Sequence, residues 1–226
     1  MNTLAIDSSC EILSIALETS SGVFYTEINA GLRHSELLAE SVDALCKTAE
    51  LSPPELNAVV CAKGPGSFTG LRIGFSAAKG LCAALEIPLV AISTLDCMAY
   101  PLSVWPGIVL PAIDAKKSSF FTAAYREGSR ITGYLDADPQ TIIHTLEKTG
   151  FSNEPVILTG PGAKMLHPLL AKLLPSRHIT VNPLFQGGIA RELLETAKCS
   201  IVKGVNNINS GPDYIRKSDA ELTSNI

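Results

Sequence analysis

The stretch Gly64-Pro65-Gly66-Ser67-Phe68-Thr69-Gly70-Leu71-Arg72-Ile73-Gly74 restricts this chain more than any other part of it. An apolar run over residues 57–62 leads in and a helical pattern leads out, so the segment reads as a strand-to-helix turn. Glycine reaches positive φ without steric cost and lets another group approach the main chain. The first N–H groups of the following helix lack intrahelical acceptors, and the helix dipole favours an anion beside them. Two common catalytic glycine motifs are excluded. A P-loop requires G-x-x-x-x-G-K-[ST], but Gly70 is followed by Leu71 and Arg72. A nucleophile elbow requires G-x-S-x-G, but Pro65 and Thr69 stand at its glycine positions around Ser67. What remains is a packing turn or a backbone binding loop of another kind.

Hydrophobic side chains make up 46% of the 226 residues and charged ones 18%. That balance supports a core of one domain or two small lobes and excludes general disorder. A net charge of −4 argues against a chain that grips nucleic acid by itself, because neutralising phosphates needs a basic surface. Cysteines stand at 10, 46, 61, 82, 97 and 199, with no C-x-x-C pair and no zinc spacing to a histidine. In apolar runs they act as small hydrophobes. No basic leader precedes the first strand pattern, and no apolar run has the length of a membrane span. The expectation is a reduced, cytoplasmic protein with no membrane partner.

Strand patterns cover residues 3–7, 12–19 and 23–28, joined by hairpin-length links. A helix is expected over 35–50, capped by His34 or a serine, with Leu38, Val42, Leu45 and Ala49 on its core face. Strand 58–62, the glycine turn, helix 71–85 and strand 88–92 follow. Leu81 and Leu85 share the core side of that helix with Gly74 and Ala78. Residues 94–105 read as short helix or irregular chain, and Pro106-Gly107 marks a lobe boundary.

The second half repeats the first. Ala5-Ile6-Asp7 recurs as Ala112-Ile113-Asp114, and segment 12–19 recurs as 119–126 at the same offset. A helix capped by Asp138, with Pro139 at its first position and Gly150 at its end, matches the first helix. Strand 156–159 then runs into Gly160-Pro161-Gly162-Ala163, as strand 58–62 runs into Gly64-Pro65-Gly66. Five elements in one order argue for duplication. A helix over 165–174, a strand over 178–181 and a helix over 188–198 complete the pattern, and the chain turns polar after Ser200. An ordered crossing is expected at 214–216 with a frayed tail beyond it. The fold class is α/β, with duplicated β-β-β-α-β-α lobes of the actin, Hsp70 and sugar-kinase (ASKHA) organisation. Mixed sheets are flanked by helices, with an N-terminal lobe at 1–105 and a reduced C-terminal lobe at 106–226.

The segment Gly64 to Gly74 resembles the signature of the TsaB (YeaZ) family, as do Leu4-Ala5-Ile6-Asp7-Ser8-Ser9 and Arg33-His34-Ser35-Glu36. So does Pro212-Asp213-Tyr214-Ile215-Arg216-Lys217-Ser218-Asp219-Ala220-Glu221. The resemblance is dense over the first hundred residues, thin through the middle, and returns at the end. It implies the same ASKHA fold and a role in forming N6-threonylcarbamoyladenosine at position 37 of ANN-decoding tRNAs. In that system the paralogue TsaD transfers the group, TsaB pairs with TsaD, and the ATPase TsaE joins them. The tRNA is met only through the complex.

The superfamily places carboxylates at strand ends to position magnesium and attacking water around a nucleotide. The resemblance puts Asp7 and Asp114 there, Ser8 and Ser9 near phosphate, and Gly160 and Gly162 at the adenosine-side turn. Against this stands a simpler role for Asp7 and Asp114 as strand-end caps. TsaD carries H-x-x-x-H on one helical face to hold a metal; here those positions fall on Thr94 and Met98. Histidines 34, 144, 167 and 178 are scattered, and only His34, opening the first helix, stands out. The chain is therefore expected to be a non-catalytic subunit that holds no metal. It binds no nucleotide tightly, and ATP or ADP enters only in the assembled complex. The rival reading is an ATP-dependent phosphotransferase or ATPase of the same superfamily. A regulatory protease fails on the missing metal pair.

Two helical flanks are neither core nor strongly charged: Leu37, Ser41 and Ala44 on the first helix, and Ser76, Lys79, Gly80 and Ala83 on the second. Glycine inside a helix costs about 1 kcal/mol relative to alanine, so Gly80 needs a compensating close approach. The expectation is a shared face for TsaD and for a second copy of the chain in a symmetric homodimer.

Overall fold

The computed structural model describes residues 1–151, 153–185 and 187–216. Two compact units emerge: Met1–Pro101 with Leu184–Pro212, and Leu102–Pro183 with the segment from Asp213 onward. The first division lies within a few residues of the expected lobe boundary. The second does not match it, because residues 184–212 return to the first unit.

In the first unit, β1 (Thr3–Asp7), β2 (Ile12–Thr19) and β3 (Gly22–Asn29) form an antiparallel meander. Helix α1 (His34–Thr48) follows, then β4 (Ala58–Gly64), α2 (Phe68–Leu85), β5 (Leu89–Ser93) and α3 (Thr94–Ala99). The sheet order is β3-β2-β1-β4-β5, with β4 and β5 parallel to β1. Period-2 alternation sorts the side chains between two faces. Leu4, Ile6, Leu13, Ile15, Leu17, Val59 and Cys61 join a core with Leu38, Val42 and Leu45 of α1 and Phe75, Ala78 and Cys82 of α2. Leu81 and Leu85 pack on its margin, as does Ala49. The opposite face is lined by the smaller Ala5, Ser14 and Ala16, and across it lies α6 (Ala190–Val202). Small side chains at those positions let the helix backbone come near the sheet.

The second unit carries β6 (Ile108–Asp114), β7 (Phe120–Thr122), β8 (Tyr125–Arg126), β9 (Ser129–Arg130) and β10 (Leu135–Ala137). It continues with α4 (Pro139–Glu147), β11 (Val156–Thr159), α5 (Ala163–Leu173) and β12 (Ile179–Val181). Its main sheet path, β10-β7-β6-β11-β12, has the order and directions of the first sheet. The duplication read from the sequence is thus a duplication of topology. The repeat of β2 is broken: β7 pairs with the far end of β6 while β8 turns to pair with its near end and with β9. The expected caps are realised at α4, where Asp138 accepts from the Thr141 N–H at 2.9 Å. At α1 they are not, since Arg33 takes the N-cap position and offers no side-chain bond. The expected tail beyond Arg216 lies outside the described residues. No helix among the described residues is long and apolar enough to cross a membrane.

Candidate functional site

The glycine stretch works differently from a loop that faces a ligand. Helix α2 starts at Phe68, so Gly70 and Gly74 lie inside it. Ser67 is its N-cap, accepting from the Gly70 N–H at 3.2 Å, while the Ser67 N–H donates to the Ser9 carbonyl at 2.7 Å. The turn after β1 fills the space that the missing side chains leave. A Cβ on Gly66 would collide with the Ser9 carbonyl, one on Gly70 with the Ser8 carbonyl, and one on Gly74 with the Ser8 hydroxyl. Ser8 also donates from its hydroxyl to the Gly70 carbonyl at 2.8 Å. The close approach that the glycines permit is taken up by the chain itself.

Asp7, Ser8 and Ser9 come together here, and all are buried. Asp7 Oδ1 accepts from the Ser9 N–H at 2.9 Å, and the Ser14 hydroxyl points at Oδ2 from 3.5 Å. Ser14 Oγ also accepts the N–H groups of Ile189 and Ala190, each at 3.1 Å. A polar relay therefore runs from the carboxylate through Ser14 to the N-terminus of α6. Burial pushes the Asp7 carboxyl from 3.8 up to about 6, against the pull of Ser9, Ile189 and Ser14. The enclosed Asp7 carboxylate, and the Ser8 hydroxyl and Ser9 N–H that are already bonded within the first unit, do not fit a role as ligands of the superfamily's magnesium and phosphate.

Asp114, Gly160 and Gly162 lie together in the second unit. Asp114 accepts from the Lys116 N–H at 2.7 Å and from its ammonium at 2.8 Å, which holds the carboxyl below its usual range. Gly160 has φ +88°, and the Gly162 N–H donates to the Ala112 carbonyl at 2.8 Å. A Cβ on Gly162 would stand 3.0 Å from both the Ala112 carbonyl oxygen and the Asp114 nitrogen. Both glycine turns thus abut the end of the first strand of their own unit.

Thr94 and Met98 are buried on α3, and the Thr94 hydroxyl has no hydrogen-bond partner among the described residues. His34 opens α1 and is buried, its Nε2 without a hydrogen-bond partner among the described residues; His167 Nε2 faces the Ile179 carbonyl at 3.2 Å. Among the described residues no group of His, Cys, Asp and Glu is arranged to hold a metal.

The two helical flanks separate. Ala44, Ser76, Gly80 and Ala83 are exposed, and Lys79 lies half-buried with its ammonium 5.5 Å from the Phe75 ring. A Cβ on Gly80 would meet nothing within 4 Å, so no helix of this chain compensates for it. Ser41 is a correction: it is only 8% exposed, and its hydroxyl donates to the Leu37 carbonyl at 2.7 Å. Leu37 is half-buried against the core. Both residues lie on the part of α1 that packs toward β2, β3 and α2, less open to solvent than Ala44.

Sequence reasoning missed Ser14 and the pair Gly187-Gly188. A Cβ on Gly187 would meet the Ile12 side chain at 2.7 Å, and one on Gly188 would meet Ser14 Cβ at 2.7 Å. The signals were a polar residue inside an apolar strand and a glycine pair just before a helix.

A family model described as TsaD: tRNA N6-adenosine threonylcarbamoyltransferase matches residues 21–157, more than half of the chain. The tRNA threonylcarbamoyladenosine biosynthesis protein TsaB of Bacillus subtilis (strain 168) is 28% identical over 225 residues, covering 98% of this chain and 96% of that protein. The TsaB protein of Escherichia coli (strain K12) is 35% identical over 128 residues, 56% of this chain and 55% of that one. YeaZ from Pseudomonas aeruginosa shares the fold, with a TM-score of 0.79 at 23% identity, over 95% of this chain and 99% of that one. The chain belongs to the tRNA N6-adenosine threonylcarbamoyltransferase family, and within it to the TsaB (YeaZ) proteins of tRNA threonylcarbamoyladenosine biosynthesis.

Proposed function

We propose that this chain is a non-catalytic subunit that pairs with TsaD and holds it in the form that transfers threonylcarbamoyl to adenosine 37 of ANN-decoding tRNAs. TsaE joins the pair, and the tRNA is met only through the complex. ATP or ADP enters only in that assembly, and no nucleotide is held tightly by this chain alone. In the absence of TsaD the same face closes on a second copy as a symmetric homodimer. The complex works in the cytoplasm.

The observation that carries the non-catalytic reading is the burial of Asp7. A carboxylate that positions magnesium or water must reach it, and this one is enclosed with its oxygens turned to Ser9 and Ser14. The pairing is supported by Gly80. Its cost of about 1 kcal/mol has no return inside the chain, and small residues let two helix backbones meet closely. Ala44, Ser76, Lys79 and Ala83 extend that face across the neighbouring helices α1 and α2.

The test uses Ala83→Trp and Gly80→Leu in the full chain, with circular dichroism to confirm the fold. Overpacking at a close helix contact forces the helices apart. Pull-down of TsaD and light scattering for the homodimer should both fail. A folded Ala83→Trp protein that still binds TsaD and still dimerises would place the partner surface elsewhere.

A further inference from the structure

Helix α5 has two apolar faces. Ala163, Leu166 and Leu170 are buried in the core of the second unit. Met165, Leu169 and Leu173 recur every four residues on another side, and they are 53%, 42% and 42% exposed. A helix that is apolar on more than its core face is normally covered by something else. The adjacent exposed row is Lys164, Pro168 and Lys172. The helix carries no Asp or Glu, and no acidic residue is paired with either lysine among the described residues.

We propose that this face of α5 docks an acidic amphipathic helix of another protein. Its apolar row would lie on Met165, Leu169 and Leu173 while its carboxylates meet Lys164 and Lys172. Residues at i, i+4 and i+8 line one side of a helix, an apolar face of the kind on which a partner helix lays its own, and opposite charge beside them fixes orientation and partner choice. A second copy of the chain is a poorer occupant, since α5 against α5 brings lysines toward lysines. A membrane surface is poorer too: three half-exposed side chains on a short helix give little insertion, and stable anchoring takes more than one such signal. Nucleic acid would satisfy the lysines but leave the apolar row uncovered. The surface lies on the second unit and does not depend on the pairing proposed above.

The test places a photo-crosslinking benzoyl-phenylalanine at position 169 of the full chain in cells. The adduct is mapped by mass spectrometry. The expected result is a protein adduct within a helix-forming segment whose apolar residues are flanked by Asp or Glu. Its yield should fall at least tenfold in Lys164→Glu/Lys172→Glu and stay unchanged in the Lys203→Glu control. Circular dichroism checks that each variant is folded. An adduct to a second copy, to lipid or to RNA overturns the proposal. So does an adduct to a segment without acidic residues, a yield indifferent to the lysine reversal, or no adduct at all.

Discussion

Ser8 and Gly70 are interlocked. The Ser8 hydroxyl donates to the Gly70 carbonyl at 2.8 Å, and the Ser8 carbonyl occupies the place a Cβ on residue 70 would need. The obstacle is main chain, which cannot swing aside as a long side chain can.

Gly70→Ala and Gly80→Ala should therefore have opposite signs. Overpacking at Gly70 should lower stability by about 1–3 kcal/mol. At Gly80, where a Cβ meets open space, alanine should raise monomer stability by about 0.5–1 kcal/mol through its better helix propensity. Urea unfolding at low protein concentration separates the two; equal signs would contradict the packing described.

Asp7 gives a pH dependence of definite sign. Its carboxyl titrates near 6 in the folded chain and near 3.8 when exposed, so the folded state holds the extra proton between those values. Its contribution to stability is intact below about pH 4 and is lost as pH rises through about 6, a change of up to about 3 kcal/mol. Asp7→Asn should gain stability relative to the parent across that interval and no further above it. The partly buried Glu192, also raised by burial, acts in the same direction and is controlled by Glu192→Gln. If the subunit is non-catalytic, Asp7→Asn should also sustain tRNA threonylcarbamoylation in cells lacking the native chain; lost modification with TsaD pairing intact would give the carboxylate a chemical role.

Ala44 and Ser41 are neighbours on α1 with different surroundings, and substitution should separate them. Ala44→Asp would bury an unpaired charge in the proposed contact and weaken association at least about a hundredfold, roughly 3 kcal/mol. Ser41→Ala removes only an internal bond to the Leu37 carbonyl and should leave association unchanged. Analytical ultracentrifugation of both variants measures the difference.

Thr94 and Met98 predict the outcome of elemental analysis. Purified full chain should hold zinc and iron far below one ion per molecule, and a chelator should leave its unfolding temperature unchanged. A stoichiometric metal whose removal melts the protein would refute this.

Arg216 clamps the second unit. It donates to Asp136 with two nitrogens, at 2.5 and 2.6 Å, and to the Ala115 carbonyl at 2.7 Å. The turn it holds contains Lys116, Lys117 and Ser118, with φ of 62°, 52° and 60°. Arg216→Ala should cost about 2 kcal/mol, because it strands a partly buried carboxylate. It should also speed amide exchange across residues 115–119. Unaltered exchange there would show that the turn holds its conformation unaided.

The repeated topology was legible because both halves keep the same order of strand, turn and capped helix, signals carried by Asp138, Pro139 and paired glycine turns. The core face of α1 was legible from spacing alone. Ser41 was misread because a short hydroxyl that bonds back to its own helix hides as well as an alanine does. The glycine stretch left two roles open, since its spacing looks the same whether a ligand or a neighbouring turn fills the gap, and the turn after β1 fills it. Ser14 escaped because strand alternation assigns a face but does not say what covers it. Its partner, the start of α6, is 175 positions away.

The return of α6 to the first sheet orders events during synthesis. Until residue 202 has left the ribosome, the face formed by Ala5, Ser14 and Ala16 has no cover, and the Ser14 hydroxyl lacks the amides of residues 189 and 190. The second unit, whose sheet is complete by residue 181, waits in turn for Arg216 to reach Asp136 and the Ala115 carbonyl. The strands of the first sheet are all made by residue 93, so the nascent first unit carries one bare sheet face through the synthesis of residues 94–202.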